Sequence, residues 1–378
     1  MKTSNRVICR NEVFIEGESI GQFEAFTMNA DHRSFGATAV LTLPLYAIGL
    51  TDTKGNAKAR VRSKINAKHI KVCAEIEVYC WYDGYDRVKV FHGFVEHVAE
   101  GFPAKLYLRD ASMILRFGTI QTAWIDDATL QQIVGDCVEI AKEGFQNARK
   151  ELGFTRNVPS LKYSVDGNKT NNVQSVTTPL SFDNFALGRA PFEVIQYLMT
   201  LLVLYAGVDN ENNLYIGAGV QDSTRPTIKL DTRYNVIERD ITPVDGRFVD
   251  YEVKITGILK NGKRYTATGG LATTKSPTSD SELTRQHGET FRGFSLLNTI
   301  DGLQDHANRM LNSLKGTRNK GTITTLLYPK TQLLDHVDYN DTVFNINDAK
   351  YYVIGYSFSA SVKGFYQKLT VTDQVFLL

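Results

Sequence analysis

The sequence has few cysteines, no large excess of one charge and no long apolar run. Its longest apolar stretch, around Leu198 to Ala206, is far shorter than the ~20 residues that a bilayer-spanning helix needs. No apolar signal core follows Met1. The four cysteines are scattered without a Cys-x-x-Cys pair, which favours reduced thiols in a protein made in a cytoplasm. They are Cys9, Cys73, Cys80 and Cys137. We therefore expect a protein that is soluble when made and has no membrane partner.

Catalytic, metal and nucleic-acid signals are also missing. A formal net charge of +2 argues against a dedicated nucleic-acid binder. No P-loop, Gly-x-Ser-x-Gly elbow or His-Glu-x-x-His motif occurs. The pair Asp126 and Asp127 is explained by a helix start, without glycosidase chemistry. The sequence predicts no enzyme and no cofactor.

Two further patterns could suggest metal binding. His92 and His97 are five residues apart on an extended strand, so they point to opposite faces, and no third ligand is nearby. Residues 209–213 resemble a calcium loop but lack its central glycine and distal glutamate, so they predict a hairpin turn. We predict no metal site.

What the sequence does contain is β structure. It has 18 Tyr and 20 Phe, residues that suit a half-buried sheet surface. Strands are predicted over 75–82, 87–98 and 105–110, with Asp83-Gly84 as the first turn. Alternation places two sets of side chains on common faces. They are Ile76, Val78, Cys80 and Tyr82, and Ala39, Leu41, Leu43 and Leu45. Closely spaced short strands predict a first β-barrel over residues 1–117.

The middle of the chain is predicted as an α/β domain over residues 118–230 with two helices. Apolar residues recur at helical spacing after Asp126 or Asp127, which would place an acidic residue at the helix N-terminus. The second helix is expected to begin near Pro191 and to end before Gly207. Residues 160–184 are polar and are expected to be irregular, and a short strand is expected at 214–216.

Residues 231–378 predict a second β-barrel with a loop and helix inserted around 269–318. Strands are expected at 248–259 and 263–268, across the Asn261-Gly262 turn. Residues 269–290 are expected to form a long loop, and a helix with Ile300, Leu303 and Ala307 on one face should end at Gly316. The last predicted strands are 322–327, 342–346 and 351–371. The predicted fold class is therefore β-rich α+β, with two similar small antiparallel barrels and an intervening α/β domain.

One pattern occurs twice. Gly93 is followed by Gly101-Phe102 and then by Lys105-Leu-Tyr-Leu-Arg-Asp110. Gly355 is followed by Gly364-Phe365 and then by Lys368-Leu-Thr-Val-Thr-Asp373. Glycine inside a strand often marks a bulge or a bend. We predict an internal duplication in which Gly93 matches Gly355 and Asp110 matches Asp373; the alternative is two generic hairpins.

The layout resembles the hub proteins of contractile phage tails, including the Mu-type tail hub, the late-control D protein and the N-terminal hub part of VgrG. Several blocks carry the resemblance. They are residues 90–98 with 106–110, the helix 307–314 with 321–325, and 341–344 and 352–356 through Gly364-Phe365 to Asp373.

The resemblance implies a homotrimer that forms a ring of quasi-sixfold symmetry and joins the sixfold tail tube to the threefold central spike. Its implied partners are itself, the spike and the tube or distal tube proteins, in a virion tail or a related injection particle assembled in bacteria. VgrG chains continue into a spike, whereas this chain stops after its last predicted strand. We therefore expect the spike to be a separate polypeptide.

A basic run without acidic residues lies between Thr53 and Ala74. It contains Lys54, Lys58, Arg60, Arg62, Lys64, Lys68 and Lys71. It is either a solvated, mobile loop or an assembly loop ordered by an acidic face of a neighbouring subunit. Nucleic-acid binding is a weaker third interpretation, because no aromatic residues interleave with the charges.

A second function from a different class is a β-rich carbohydrate- or receptor-binding tail protein. Trp81, Tyr82 and Tyr85 could form a sugar-binding platform, although packing in a barrel accounts for them equally well.

Overall fold

A computed structural model describes most of the chain in fifteen segments. They are residues 9–31, 34–44, 70–99, 103–121, 128–157, 161–166, 186–202, 204–217, 227–245, 249–269, 286–314, 317–326, 328, 330–361 and 364–373. The described helices include none long and apolar enough to cross a bilayer.

The N-terminal part consists of strands. They are β1 Cys9–Ile15, β2 Glu18–Gly21, β3 Ala25–Asp31, β4 Thr38–Leu43, β5 Glu75–Tyr82, β6 Val88–Ala99 and β7 Ala104–Asp110. The predicted alternation is confirmed in β5, where Ile76, Val78 and Cys80 are buried, and in β7, where Leu106 and Leu108 are buried. Of the other predicted set, Ala39, Leu41 and Leu43 are buried on β4, and Leu45 lies outside the described residues.

The middle part is mixed. It contains a 3-10 helix Ala111–Arg116, α1 Leu130–Glu151, β8 Lys162–Asp166, α2 Pro191–Leu202, β9 Tyr205–Val208 and β10 Asn213–Gly217. The first turn of α1 carries no acidic residue, and Asp126 and Asp127 lie outside the described residues. Instead Thr129 and Gln132 form a capping box, in which each side chain accepts a hydrogen bond from the other's backbone N–H.

The expectation that Gly207 directly follows the end of the second helix is wrong. Helix α2 ends at Leu202, and Gly207 lies inside β9. The N–H of Leu204 still donates to the Met199 carbonyl at 2.9 Å, after which the chain becomes extended. The predicted hairpin turn at 209–213 is confirmed, because the Asp209 carboxylate accepts from the N–H groups of Glu211 and Asn213 between β9 and β10.

The C-terminal part begins with β11 Ile228–Asp231, β12 Val236–Asp245, β13 Val249–Ile258, β14 Arg264–Gly269 and β15 Gln286–Phe294. It continues with α3 Ile300–Leu314, β16 Thr317–Leu326, β17 His336–Asp341, β18 Ile346–Ser361 and β19 Gly364–Thr372. The turn at Asn261-Gly262 is confirmed, and Gly262 has φ of 75°. Helix α3 is confirmed with Leu303 and Ala307 buried, but Ile300, expected on the same face, is 49% exposed, and the expected stop Gly316 lies outside the described residues.

Three expectations for this part are wrong. Residues 286–290 belong to β15, which pairs in parallel with β13, and are not part of a long loop. Residues 342–345 form the turn between β17 and β18, because the Asp341 carboxylate accepts from the N–H groups of Val343 and Phe344 and bends the backbone. The single strand expected over 351–371 is a hairpin of β18 and β19.

Most strands belong to one large sheet. Its order is β12-β16-β19-β18-β3-β4-β7-β6-β5-β1-β2, and β17 and β11 attach beside the first half of β18. Two three-stranded sheets, β8-β10-β9 and β14-β13-β15, complete the described strands. None of these sheets closes into a barrel within the described part of the chain. Strands β11 and β12 are joined by the turn at residues 232–235 and not by a ladder, which is why the second set of strands stays open.

The large sheet contains one strand order twice. The first set runs β1-β5-β6-β7-β4-β3, and the second runs β11-β17-β18-β19-β16-β12. Strands that correspond in space also correspond in chain order. One pair differs in direction, because β1 and β5 are antiparallel whereas β11 and β17 are parallel. We call these sets the first and second six-strand units.

The two units also share their register. A bulge leaves Glu96 without a direct partner in the β6–β7 hairpin, and Ile354 has the same position in the β18–β19 hairpin. Counted from the bulges, Leu106 and Leu108 correspond to Leu369 and Val371, and all four are buried. Asp110 and Asp373 then stand the same number of residues beyond their bulges.

The two glycines do not occupy the same ladder position. Gly93 lies opposite Asp110, whereas Gly355 lies opposite Thr370. Counted from the bulges, Gly93 corresponds to Tyr351. The glycine part of the repeated pattern therefore differs between the units.

Gly355 lies where strand β18 changes its neighbouring strand. Up to Tyr352 one edge of β18 pairs with β17, and from Gly355 onwards the same edge pairs with β3 of the first unit. The core of the first unit accordingly includes Phe358, Ala360 and Phe365 from the C-terminal hairpin. A second core lies inside the second unit, and a third joins α1 and α2 to β13, β14 and α3.

Candidate assembly surface

The basic run between β4 and β5 is described only at its end. Lys54, Lys58, Arg60, Arg62, Lys64 and Lys68 lie outside the described residues. Lys71 donates to the Leu152 carbonyl at 2.8 Å and lies 6.0 Å from the ring centroid of Phe154, so it docks on the C-terminal end of α1. The segment therefore rejoins the sheet beside a helix C-terminus, where a cation is favoured.

An ion pair between a buried arginine and a partly exposed glutamate holds this end of the segment in place. Arg149 of α1 is 3% exposed and donates to both carboxylate oxygens of Glu16, at 2.9 and 2.8 Å. It also donates to the Cys73 carbonyl and lies 4.3 Å from the Phe154 ring centroid. Burial raises the pKa of the Cys73 thiol to about 11, so this cysteine stays protonated at neutral pH. The bidentate pair ties the β1–β2 turn, the start of β5 and α1 together.

A buried pair continues the network. The Glu75 carboxylate lies 2.9 Å from Nε2 of His92 and 3.2 Å from a guanidinium nitrogen of Arg156. Glu75 and His92 are both almost completely buried. His92 is thus a buried structural residue of β6, while His97 is exposed, with its ring centroid 5.7 Å from that of Tyr107 and tilted by 37°. The two histidines do not converge, and the described residues contain no group of three or more potential metal ligands.

The residues of the repeated pattern have structural surroundings. Asp110 is buried, caps the 3-10 helix through the Ser112 N–H at 3.0 Å and accepts from the Ala37 N–H at 2.5 Å. Burial raises the pKa of its carboxyl group overall, although these hydrogen bonds by themselves would lower it. Asp373 accepts from the Asn319 side chain at 2.7 Å. Both aspartates therefore fix the end of a hairpin to a neighbouring segment.

Both corresponding hairpin tips carry strongly exposed apolar side chains, and so does the β11–β12 turn, where Tyr234 is 77% exposed. Tyr85, at the β5–β6 tip, is 77% exposed, and Val343 and Phe344, at the corresponding β17–β18 tip, are 79% and 65% exposed. Trp81 and Tyr82 are neighbours on β5 and so point to opposite faces. Tyr82 packs against Phe365, and the three aromatic residues do not form one platform for a sugar.

A polar cluster supports the second tip. Asp341 accepts from the Tyr339 hydroxyl and from Arg239, both at 2.8 Å, and Arg239 lies 3.9 Å from the Phe344 ring centroid. Burial by itself would raise the pKa of Asp341, but the hydrogen bonds from Tyr339 and the turn amides, together with Arg239, lower it overall. The tip is consequently held in a fixed shape with Phe344 outside.

Sequence reasoning missed the residues that hold these features. Arg149 follows Phe145 by one helical turn on the buried side of α1, so a charge within an apolar stripe was the available signal. Arg239 gave no comparable signal, because its partner Asp341 is more than one hundred residues away in the sequence.

No protein-family model and no curated protein matches the sequence. Solved structures do match. A tail protein from Neisseria meningitidis has a TM-score of 0.60 at 14% identity, with 98% of each chain covered. A 43 kDa tail protein of prophage MuSo2 from Shewanella oneidensis has a TM-score of 0.54 at 14% identity, with 96% of each chain covered.

A third similar structure links phage tails to secretion. The E. coli c3393 protein is a component of the type VI secretion system and itself exhibits structural similarity to the T4 tail proteins gp27 and gp5. Its TM-score is 0.52 at 8% identity, with 95% of this chain and 76% of that chain covered. The chain therefore has the fold of phage tail and VgrG-like proteins, and the resemblance stated from the sequence is confirmed at the level of the fold.

Proposed function

We propose that this protein is a structural hub subunit of a phage tail baseplate or a related injection particle. Three chains would form a ring that joins the sixfold tail tube to the threefold central spike. The similarity to tail proteins along nearly the whole chain supports this role. Its function is then binding, without catalysis or a cofactor.

The internal repeat is the observation that carries the proposal. Two six-strand units with one strand order and one register are equivalent docking positions within a chain. A ring of three chains would contain six such units, a number that matches a sixfold tube. The same ring has threefold symmetry, which matches a threefold spike. We infer that the two units are the counterparts of the two predicted barrels, within the predicted domains 1–117, 118–230 and 231–378.

The surfaces for these partners follow from the repeat. The tips that carry Tyr85 and Phe344 are equivalent, so a ring would present six exposed apolar tips on one face. We assign this face to the tube or distal tube proteins. The basic residues 54–68 supply charge for an acidic neighbour, and no role in nucleic-acid binding is assigned to them.

The test is the mass of the purified protein by light scattering coupled to size exclusion. The expected mass is three times the 42.3 kDa of the chain. A mass that stays at one chain over a hundredfold concentration range, and also after mixing with the tube and spike proteins of the same particle, would contradict the hub. A glycan array tests the alternative function, a carbohydrate-binding tail protein. We expect that the purified protein binds none of the glycans.

A further inference from the structure

A strand ladder joins the two six-strand units inside one chain. Strand β3 of the first unit pairs antiparallel with the second half of β18, from Asp31 opposite Gly355 to Ala25 opposite Ser361. The junction therefore uses the outer edge of β3 and the part of β18 that extends beyond β17.

Both partners of this junction have a counterpart in the other unit. Strand β12 corresponds to β3, and the end of β6 from His97 onwards corresponds to the paired part of β18. Among the described strands, β12 pairs only with β16. Beyond Val95, β6 pairs only with β7 in the part of the chain that is described. Among the described strands, the outer edge of β12 and the end of β6 are thus the two sides of a second junction of this kind, but they do not pair with each other within the chain.

We propose that the outer edge of β12 in one chain pairs antiparallel with the end of β6 in a second copy of this chain. The register of the internal junction, carried over to the counterparts, places Thr242 opposite Ala99 and Val244 opposite His97. This inference rests on the proposed hub function. A ring of three chains then contains six junctions of one kind, alternately within and between chains.

The contact is head to tail, because it joins two different surfaces of the same chain. Such a contact gives a closed ring or an open filament, depending on whether the rotation closes. The sixfold arrangement of units closes it after three chains.

The chemistry of β12 suits a specific and reversible edge. Glu238 and Asp240 are exposed, and charges on an edge strand discourage pairing with unrelated strands. Pro243 lacks an N–H group and is tolerated on edge strands. The junction between chains therefore has one potential hydrogen-bond donor fewer than a ladder without proline.

The test is a disulfide across the proposed junction. Residues directly opposite on antiparallel strands have Cβ atoms about 4.5–5.5 Å apart, close enough for a disulfide after a small adjustment. The variant Thr242→Cys/Ala99→Cys is oxidised mildly at low protein concentration and run on a denaturing gel without reductant. We expect covalent dimers and trimers, with no larger species, and loss of both after reduction.

Matched controls make the result specific. Asn29→Cys/Ser357→Cys is the same pair in the internal junction, so it should form a disulfide without any increase in mass. The single variants Thr242→Cys and Ala99→Cys measure any background from the four native cysteines.

Three outcomes overturn the inference in distinguishable ways. A trimer by light scattering without the cross-link, while the control pair oxidises, would refute the strand junction and leave the hub intact. A protein that stays monomeric, also after mixing with the tube and spike proteins of the same particle, would contradict the hub and the junction together. Cross-linked species larger than a trimer would refute the closed ring.

Discussion

Replacing Gly93 by alanine should separate two adjacent strands in the first six-strand unit. A Cβ atom at this position would lie 2.2 Å from the Arg109 carbonyl oxygen and 2.8 Å from the Arg109 carbonyl carbon and the Asp110 Cα. All three are backbone atoms of β7, so no side chain can rotate to relieve the contact. Overpacking in a core typically costs about 1–3 kcal/mol, and loss of ladder hydrogen bonds around Asp110 adds to it. We expect Gly93→Ala to lower the free energy of unfolding by about 3 kcal/mol.

Gly355→Ala is the matched control. Its nearest atoms would be the Ala30 carbonyl oxygen at 3.3 Å and Oδ2 of Asp31 at 3.5 Å, a contact that a small shift relieves. The lower entropy of the unfolded alanine chain contributes about 0.4–1 kcal/mol in the opposite direction. We therefore expect Gly355→Ala to change the free energy of unfolding by less than about 1 kcal/mol.

Urea unfolding followed by the fluorescence of Trp81 is the assay, because Trp81 lies on β5 next to β6 and reports on the first unit. A Trp124→Phe background removes the other tryptophan of the chain. Equal midpoints for the two alanine variants would refute the reasoning, and so would a Gly93→Ala variant as stable as the parent.

Three further perturbations test other parts of the structure. Arg149→Met should lower the free energy of unfolding by about 3 kcal/mol, because it removes the buried guanidinium that donates to the partly exposed Glu16 carboxylate and to the Cys73 carbonyl. Adding Glu16→Gln should recover part of this loss, and additive effects would contradict the coupling. Burial, with a contribution from Arg309, lowers the pKa of His306 to about 4. As the pH drops from about 6.5 towards 4, this histidine is therefore protonated in the unfolded chain but not in the folded protein, and the free energy of unfolding falls. From pH 7.5 to 5 the loss should be about 2 kcal/mol in urea titrations, and a His306→Gln variant with an unchanged pH dependence would contradict the assignment. Charge reversal at four basic positions should leave thermal unfolding unchanged and weaken co-assembly with tail proteins. This weakening should be smaller at high salt, because exposed charges are already screened beyond ~10 Å at 0.1 M. A variant that fails to fold would show that the segment belongs to the core. The positions are Lys54, Lys58, Arg60 and Lys64.

The local elements were largely predictable from the sequence. Alternating residues such as Ile76 and Val78 identify a strand because one face must be buried, and the apolar stripe of α3 identifies a helix. The ends of helices were less predictable from the sequence. Thr129 with Gln132 is a readable capping box, whereas the end of α2 before Gly207 depends on where the chain joins the β8–β10–β9 sheet.

Contacts between distant segments were not predictable. One local turn was also missed: Val343 and Phe344 favour a strand at residues 342–345, whereas in the structure their N–H groups donate to the Asp341 carboxylate and close a turn. The repeated pattern predicted the correspondence of the two hairpins, but it paired Gly93 with Gly355. The sequence contains no signal that Gly355 stands where β18 leaves β17 for β3.

The change of partner along β18 has a consequence for synthesis of the chain on the ribosome. The edge of β3 that β18 covers is translated more than three hundred residues before its partner strand. At about 5–20 residues per second, that edge waits roughly 15–65 s before β18 is made. During this time the first unit also lacks Phe358 and Phe365, which belong to its core. The N-terminal unit can therefore complete its packing only after β18 and β19 have been made, and until then its open edge is a place where two nascent chains can join wrongly.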